Sequence, residues 1–293
     1  MHVFLTGGSG FIGSAVLREL TAAGHTVLAL ARSDAAAQAL GAAGAQVLRG
    51  SLEEPASLRR GAAQADAVIH AAFIHDFSKF QENCQIDRRA IEALGAALEG
   101  TQRPLLVTSG TALIAARPAT EADPPGTQVP RVATEQAADA LAARGVRVAV
   151  MRLPPSVHGD GDHGFVPHLI KLARDTGVAV YRDAGANLWP AVHRLDAARA
   201  YLAALGHVRA GVRYHAVGEE GIPFRRITEV IGRRLGVPVA SMSGAQADAH
   251  FGWFAHFAGF DNPAASRATR ETLKWQPRER GLVEDLERGR YFS

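Results

Sequence analysis

The chain has 293 residues, of which 47% are hydrophobic and 21% charged, and its formal net charge is +3 with neutral histidine. This composition excludes a disordered chain, which combines low hydrophobicity with high charge. The only cysteine, Cys84, is expected to be a buried helix residue, and a lone cysteine excludes an internal disulfide framework and a multi-cysteine zinc site.

The sequence lacks the patterns of membrane and nucleic-acid binding. No apolar run is long enough to cross a bilayer, and the N-terminus lacks a signal-peptide pattern, so we expect no membrane partner and a cytoplasmic location. Basic residues are mixed with acids rather than clustered, so we expect no nucleic-acid partner. The partner that we expect is therefore a small-molecule substrate, and the sequence also allows a homodimer.

Hydrophobic periodicity predicts strands and helices that alternate through the first half of the chain. The predicted strands are Val3–Thr6, Thr26–Ala31, Gln46–Leu48, Ala67–Ala71, Leu105–Ser109 and Val146–Leu153. The predicted helices are Phe11–Ala23, Ala35–Ala42, Pro55–Ala63, Gln85–Leu98 and Val132–Ala143. This alternation predicts an α/β fold with a doubly wound parallel sheet of Rossmann type, with about six to seven strands.

The pattern changes after Leu153. We expect residues 1–153 to form a dinucleotide-binding domain and residues 154–293 to form mainly a smaller substrate-binding lobe, with residues 190–217 returning to the sheet domain. The elements predicted there are the helices Phe165–Arg174 and Leu195–Leu205 and the strands Val178–Tyr181 and Val212–Val217.

A glycine-rich turn, Thr6–Gly13 (TGGSGFIG), lies between the first strand and the first helix. Its glycines allow a tight turn, a close approach of backbone to a pyrophosphate, and close helix–strand packing. The second strand ends at Ala31, followed by Arg32 and Ser33 rather than by a carboxylate. An arginine there accommodates a 2′-phosphate, so we expect NADP(H), although Arg32 can also be an ordinary surface residue.

The turn resembles that of the extended short-chain dehydrogenase/reductase family, which includes NAD(P)-dependent epimerases, dehydratases and carbonyl reductases. The resemblance extends over nearly the whole chain. It is carried further by VIHAA (68–72), RLPPSVHGDG (152–161), WPAVHRLDAA (189–198) and LKWQP (273–277). It implies cofactor contacts at Gly7, Ser9, Gly10, Phe11, Ile12, Gly13, Arg32, Ser33, Ser51, Leu52, Ala71, Ala72, Phe73, Thr108, Pro154, Pro155, Ser156 and Val157.

The family's catalytic Tyr, followed four residues later by Lys, has no counterpart here. Arg131 holds the Tyr position and Glu135 the Lys position, while Asp87 is aligned with the family's Asn. The chain therefore resembles an atypical member. Arg131 is a candidate for stabilising an oxyanion, with Glu135 one helical turn on to pair with it. The alternative is an ordinary surface ion pair.

Four further residues are candidates for the chemistry. Ser109 and Thr111 flank the place of the family's Ser, where they either donate to a substrate oxygen or cap a strand end. His75 follows the fourth strand and could exchange a proton, oriented by Asp76, unless it is simply a surface histidine. His158 is a similar candidate.

Two other clusters have simpler interpretations. Asp160, Asp162, His163 and His168 match no zinc or EF-hand spacing, so we expect turn chemistry and no metal. The aromatic segment His250–Phe260 is expected to be a core helix, an aromatic wall over the substrate crevice, or a dimer surface.

Three functions remain open. The first is an NADPH-dependent oxidoreductase that reduces a small apolar or aromatic carbonyl compound. The second is a nucleotide-sugar epimerase or dehydratase, which needs a diphosphate clamp for which Arg225, Arg226 and Arg233 are available. The third is a non-catalytic NADP(H)-binding sensor.

Overall fold

A seven-stranded parallel sheet forms the centre of the structure, a computed structural model that describes residues 1–115, 117–126 and 128–292. Its strands are β1 (His2–Thr6), β2 (Thr26–Ala31), β3 (Gln46–Arg49), β4 (Ala67–His70), β5 (Leu105–Gly110), β6 (Val148–Leu153) and β10 (Val212–His215). Their spatial order is β10-β6-β5-β4-β1-β2-β3. The order reverses between β1 and β4, and open α/β sheets bind ligands at such a switch point.

Helices cover both faces of this sheet. One face carries α1 (Phe11–Ala22), α2 (Asp34–Ala42) and α7 (Arg194–Leu205), and the other carries α3 (Pro55–Ala63), α4 (Phe80–Ala96) and α5 (Val132–Ala143). Because both faces are covered, β4 and β6 are buried along their whole length and their sequences are nearly continuous apolar runs.

The second lobe is built from short strands and helices. Its strands are β7 (Ser156–His158), β8 (Ala179–Arg182), β9 (Leu188–His193), β11 (Glu219–Pro223) and β12 (Val239–Met242). Its helices are α6 (Phe165–Thr176), α8 (Phe224–Leu235), α9 (Gly244–Phe251), α10 (Ala255–Gly259) and α12 (Leu282–Arg288), whereas α11 (Arg267–Leu273) packs against α7 and β10 of the main sheet. One small sheet has the order β11-β9-β7 and the other pairs β12 with β8. Short 3-10 helices lie at Phe77–Lys79, Thr111–Leu113 and Gly252–Phe254.

The predicted doubly wound sheet is confirmed, and it has seven strands. Val212–His215 joins it beside β6, while α4 begins at Phe80, earlier than predicted. The strands β7, β11 and β12 were not predicted; they lie in the half of the chain where the regular alternation of strands and helices ends. Ala116, Thr127 and Ser293 fall inside the two expected domains but lie outside the described residues. No helix in the described ranges is long and apolar enough to span a membrane.

Candidate active site

The glycine-rich turn is shaped by close backbone contacts. Gly7 has a φ of 77°, and a Cβ on it would lie 2.7 Å from the Ala72 nitrogen. A Cβ on Gly13 would lie 1.9 Å from the Gly7 carbonyl oxygen, so neither position tolerates a larger residue without movement. Gly10 precedes α1 and provides no capping side chain. The first N–H groups of α1 therefore remain available for an anion, and the turn fits a dinucleotide pyrophosphate.

Arg32 and Ser33 are both exposed beyond the end of β2. Ser33 caps α2, since its hydroxyl oxygen accepts a hydrogen bond from the Ala36 nitrogen at 3.2 Å. The nearby carboxylate of Asp34 pairs with Arg49 at 2.7 Å. Arg32 forms no ion pair within the described part of the chain. A guanidinium without a carboxylate partner at this edge fits an adenosine 2′-phosphate.

The other expected cofactor contacts border the carboxyl edge of the sheet. Ser51 and Leu52 follow β3 and are half-buried, as are Ala71, Ala72 and Phe73 after β4. Thr108, near the end of β5, donates its hydroxyl proton to the His70 carbonyl oxygen at 2.8 Å. The loop after β6 continues through Pro154 and Pro155 into β7, which contains Ser156 and Val157.

Arg131 lies at the N-terminus of α5, and its side chain is only 14% exposed. Nη1 lies 3.0 Å from an Asp87 carboxylate oxygen as an ion pair, without hydrogen-bond geometry. Nη2 donates to the Thr108 carbonyl oxygen at 3.1 Å. The guanidinium carbon lies 3.7 Å from the centre of the Phe73 ring. The cation is therefore held by β5, α4 and the loop after β4, and it retains unused N–H donors.

The expected pairing of Glu135 with Arg131 is wrong. The Glu135 carboxylate is fully buried and accepts hydrogen bonds from Arg152 at 2.8 and 2.7 Å and from Arg213 at 2.9 Å. Burial raises the pKa of Glu135, but the hydrogen bonds and charge of Arg152, with further bonds from Arg213 and Ser109, lower it below the ordinary value. Glu135 thus joins α5 to β6 and β10 in a structural cluster.

The two hydroxyl candidates are also engaged within the protein. Ser109 donates to Glu135 at 2.9 Å, and Thr111 donates to the side-chain oxygen of Asn262 at 2.8 Å. Both residues are buried. Since each hydroxyl has only one proton, neither is available to donate to a substrate oxygen in this arrangement. The expectation that they bind substrate is corrected accordingly.

His75 lies on the loop that connects β4 to α4. Its ring makes edge contacts with Phe73 and Phe77 at centroid distances of 5.2 and 6.4 Å. The residue as a whole is exposed, but desolvation of its ring and the positive charge of Arg131 lower the pKa of His75. Asp76 does not orient it, because the Asp76 carboxylate accepts from the Ser78 backbone and hydroxyl instead. At pH 7 His75 is therefore a neutral imidazole near Arg131.

An aromatic cluster closes the space between this loop and the second lobe. Phe77 stacks on Trp253 with ring centroids 5.5 Å apart, and it contacts Phe257 at 6.1 Å. Phe251 and Phe254 instead pack in the lobe core. The segment His250–Phe260 is thus partly core and partly surface, since Phe251 and Phe254 are buried while Trp253 is exposed.

The structure gives structural roles to several remaining candidates. Tyr201 is fully buried and shares a 2.6 Å hydrogen bond with Thr108, and burial raises its pKa, so it does not replace the absent catalytic tyrosine. His158 pairs with Asp285 at 2.9 Å. Arg225 and Arg233 pair with Glu229 and Glu287 on the exposed side of α8, and Arg226 is exposed beside them. Asp162 accepts from Gly164 and Tyr291, and Cys84 is buried in α4 as expected.

Sequence reasoning missed the polar cluster behind Arg131. His70, the last residue of β4, is fully buried and lies 3.0 Å from Asp87 on α4. The available signal was a histidine at the end of an apolar strand, which must have polar partners when buried. The contacts of Phe77 with Trp253 and Phe257 were also missed, because those rings lie far away in the sequence, in the other lobe.

Comparisons with known proteins agree with this architecture. A protein of uncharacterized function from Schizosaccharomyces pombe is 47% identical over 295 residues, covering 100% of both chains. The 4-hydroxy-2-methyl-3-oxo-4-farnesyl-3,4-dihydroquinoline-1-oxide ketoreductase of Stigmatella aurantiaca is 30% identical over 270 residues, covering 86% of this chain and 80% of that protein.

Solved structures share the fold. DesIV, the dTDP-glucose 4,6-dehydratase of Streptomyces venezuelae, solved with NAD and TYD bound, has a TM-score of 0.79 at 20% identity and covers 98% of this chain and 95% of its own. Residues 3–218 match the NAD dependent epimerase/dehydratase family. Given this match together with the glycine-rich turn and the sheet order, the chain belongs to the NAD dependent epimerase/dehydratase family.

Proposed function

We propose that the protein is an NADPH-dependent oxidoreductase that reduces the carbonyl of a small apolar or aromatic compound. The observation that carries the proposal is Arg131, an anchored guanidinium with unused N–H donors, beside the aromatic cluster at the carboxyl edge of the sheet. A permanent cation there complements the negative charge that develops on a carbonyl oxygen during reduction.

The glycine-rich turn would hold the cofactor pyrophosphate, and Arg32 would favour a 2′-phosphate. The turn supports this because a side chain at Gly7 or Gly13 would collide with the backbone of Ala72 or of Gly7 and distort the turn. When bound, a reduced nicotinamide dinucleotide supplies a hydride. This chain's own residues then have to orient the carbonyl, stabilise the oxyanion and allow a proton to arrive.

Arg131 would orient the carbonyl oxygen and stabilise the alkoxide, but it would not protonate the alkoxide. Its guanidinium pKa exceeds about 12, so it remains charged throughout. His75 would relay a proton from solvent, since its ring is neutral at pH 7 and lies close enough to Arg131 for that charge to lower its pKa. The aromatic wall of Phe77 and Trp253 would bind the apolar part of the substrate.

The alternatives have less support. The 30%-identical relative from Stigmatella aurantiaca is a ketoreductase by name, which favours carbonyl reduction. A diphosphate clamp is not supported, because Arg225 and Arg233 are paired with glutamates on the exposed side of α8. A sensor without turnover would use the same turn, so only a turnover measurement separates it from a reductase.

The test is NADPH binding followed by NADPH oxidation with a panel of aromatic and aliphatic ketones. We expect NADPH to bind more tightly than NADH, and at least one ketone to give a matching alcohol. Arg131→Ala should lower kcat about 10²–10³-fold, while Arg131→Lys should restore part of it. His75→Ala should abolish turnover and leave NADPH affinity intact. NADPH binding without oxidation across the panel would favour the sensor, and no nucleotide binding would reject both.

A further inference from the structure

A continuous chain of buried polar contacts runs from the glycine-rich turn to Arg131. Thr6, the last residue of β1, lies 2.8 Å from Nδ1 of His70, and Nε2 of His70 lies 3.0 Å from Asp87 Oδ1. The other Asp87 oxygen accepts from the Thr134 hydroxyl and lies 3.0 Å from Arg131 Nη1. Thr6, His70, Asp87 and Thr134 are all at most 1% exposed.

The donors and acceptors in this series of polar contacts fix the position of the proton between His70 and Asp87. An ionised carboxylate only accepts, so His70 Nε2 carries the proton toward Asp87. With the ring protonated at Nε2 alone, Nδ1 of His70 accepts from the Thr6 hydroxyl, whose oxygen in turn accepts from the Ala72 nitrogen at 3.4 Å. This arrangement gives the side-chain polar atoms of Thr6, His70 and Asp87 a hydrogen-bond partner each.

The charge on Asp87 is stabilised by its surroundings. Burial raises the pKa of Asp87, but the Arg131 cation and the hydrogen bonds from His70 and Thr134 outweigh burial and lower it below the ordinary value. Arg131 is in turn the cation nearest to this buried anion. A buried charge is tolerated only when it is paired, so Asp87 and Arg131 depend on each other.

We infer that Asp87, held by His70 and Thr134, is the positioning residue of Arg131. This inference rests on the proposed function, in which the Arg131 guanidinium stabilises the oxyanion. Asp87 fixes one edge of the guanidinium, the Thr108 carbonyl fixes another and the Phe73 ring covers one face. These three contacts hold the guanidinium in one position.

The same series of polar contacts connects Arg131 to the turn proposed to hold the cofactor. Ala72 donates to Thr6, and a Cβ on Gly7 would lie 2.8 Å from the Ala72 Cα. The backbone at Thr6 and Ala72 is thus common to the turn and to the polar chain. Asp87 would therefore set the position of Arg131 relative to the turn.

The experiment compares Asp87→Asn, Asp87→Glu and Thr134→Val with the control Asp196→Asn. Asp196 is an equally buried aspartate, paired with Arg199 at 2.5 Å, and it binds the backbone of residues 278 and 279. Asp87→Asn should lower kcat about 10–100-fold through misplacement of the guanidinium, with KM and NADPH affinity within about twofold. Asp87→Glu should restore part of kcat, and Thr134→Val should give a smaller loss.

A second readout does not depend on turnover. In the wild type, nitrogen NMR of the histidines should show that His70 is protonated at Nε2 and not at Nδ1. Asp87→Asn should shift both the His70 ring signals and the Arg131 guanidinium signals. Asp196→Asn should lower the Tm and leave both sets of signals and kcat unchanged.

The outcomes separate the inference from the proposed function. If Arg131→Ala lowers kcat but Asp87→Asn does not, the inference is wrong and the function stands. If no substrate is turned over but the NMR shifts occur, the positioning role is supported and the reductase proposal fails. Unchanged Arg131 signals in Asp87→Asn would overturn the inference in either case. If Asp87→Asn does not fold, the Arg131 signals of Thr134→Val are compared with those of the wild type instead.

Discussion

The guanidinium of Arg131 lies over the ring of Phe73, with the guanidinium carbon 3.7 Å from the ring centroid. Phe73 belongs to the loop after β4 and Arg131 to the start of α5, so the contact joins two loops at the carboxyl edge of the sheet. A cation over an aromatic ring contributes about 0.5–2 kcal/mol, depending on desolvation. The ring therefore restrains the guanidinium without consuming any of its N–H donors.

The glycine-rich turn gives the sharpest steric prediction. Gly13→Ala would place a Cβ 1.9 Å from the Gly7 carbonyl oxygen, and because that oxygen belongs to the backbone, the turn must distort. We expect NADPH affinity to fall at least about tenfold, because the α1 N-terminus would move relative to the pyrophosphate. Isothermal titration calorimetry with NADPH measures this change in affinity.

Gly41→Ala is the matched control, because Gly41 lies in α2 and a Cβ there would meet nothing within 4 Å. It should raise stability by up to about 1 kcal/mol, since alanine favours the helix, and leave NADPH affinity unchanged. Equal NADPH affinity in Gly13→Ala and the wild type would show that the turn does not contact the cofactor.

Cofactor preference is predicted to depend on Arg32. Arg32→Ala should weaken NADPH binding by about 1.5–3 kcal/mol, the worth of a charged hydrogen bond, and leave NADH binding nearly unchanged. The measurement is the ratio of the two dissociation constants at low salt. Arg88→Ala, which removes an exposed arginine paired with Glu92, should leave the ratio unchanged. Equal weakening of both nucleotides in Arg32→Ala would contradict the prediction.

The turn could be predicted from the sequence because its requirement is local. Gly7, Gly10 and Gly13 are close in the chain, and each has a backbone reason to be glycine. The helices and strands of the first half followed from hydrophobic periodicity for the same reason.

The environment of Arg131 could not be predicted, because its partners come from three separate elements. Asp87 lies on α4, Thr108 on β5 and Phe73 after β4. The spacing of four residues did suggest Glu135 as a partner. Glu135 instead binds Arg152 and Arg213, which supply three donors to its carboxylate. Tertiary contacts of this kind override helical spacing.

Glu135 is predicted to be structural rather than catalytic. Glu135→Gln leaves Arg152, which is fully buried, and Arg213 without their anion and should destabilise the protein by about 3–5 kcal/mol. Asp139→Asn removes a half-exposed partner of Arg213 and should change stability by at most about 1 kcal/mol. Urea unfolding measures both. Folded Glu135→Gln should retain NADPH affinity and kcat, whereas a large loss of kcat per folded molecule would restore a catalytic role.

The lowered pKa of Glu135 predicts that the stability of the protein depends on pH. The folded-state pKa of Glu135 is lowered, so its contribution to stability is present above the unfolded-state pKa of about 4.3 and is lost as pH falls through the folded value. The stability difference between wild type and Glu135→Gln should therefore be constant from pH 7 to 5 and shrink below about pH 4. Urea unfolding across this range tests it, and a difference that grows on acidification would contradict the assigned sign.

The aromatic wall is predicted to control substrate affinity through Trp253. Trp253 is 55% exposed although its ring stacks on Phe77, so it adds little to folding and remains available to a ligand. Trp253→Ala should raise KM for an aromatic ketone about 2–10-fold, the worth of one aromatic pair, with kcat nearly unchanged. Trp253→Phe retains a ring and should restore most of the affinity. An aliphatic ketone of similar size should show a smaller effect in the same variants. If KM for the aromatic ketone were the same in Trp253→Ala, the substrate would bind elsewhere, and the contact between Phe77 and Trp253 would serve only to join the two lobes.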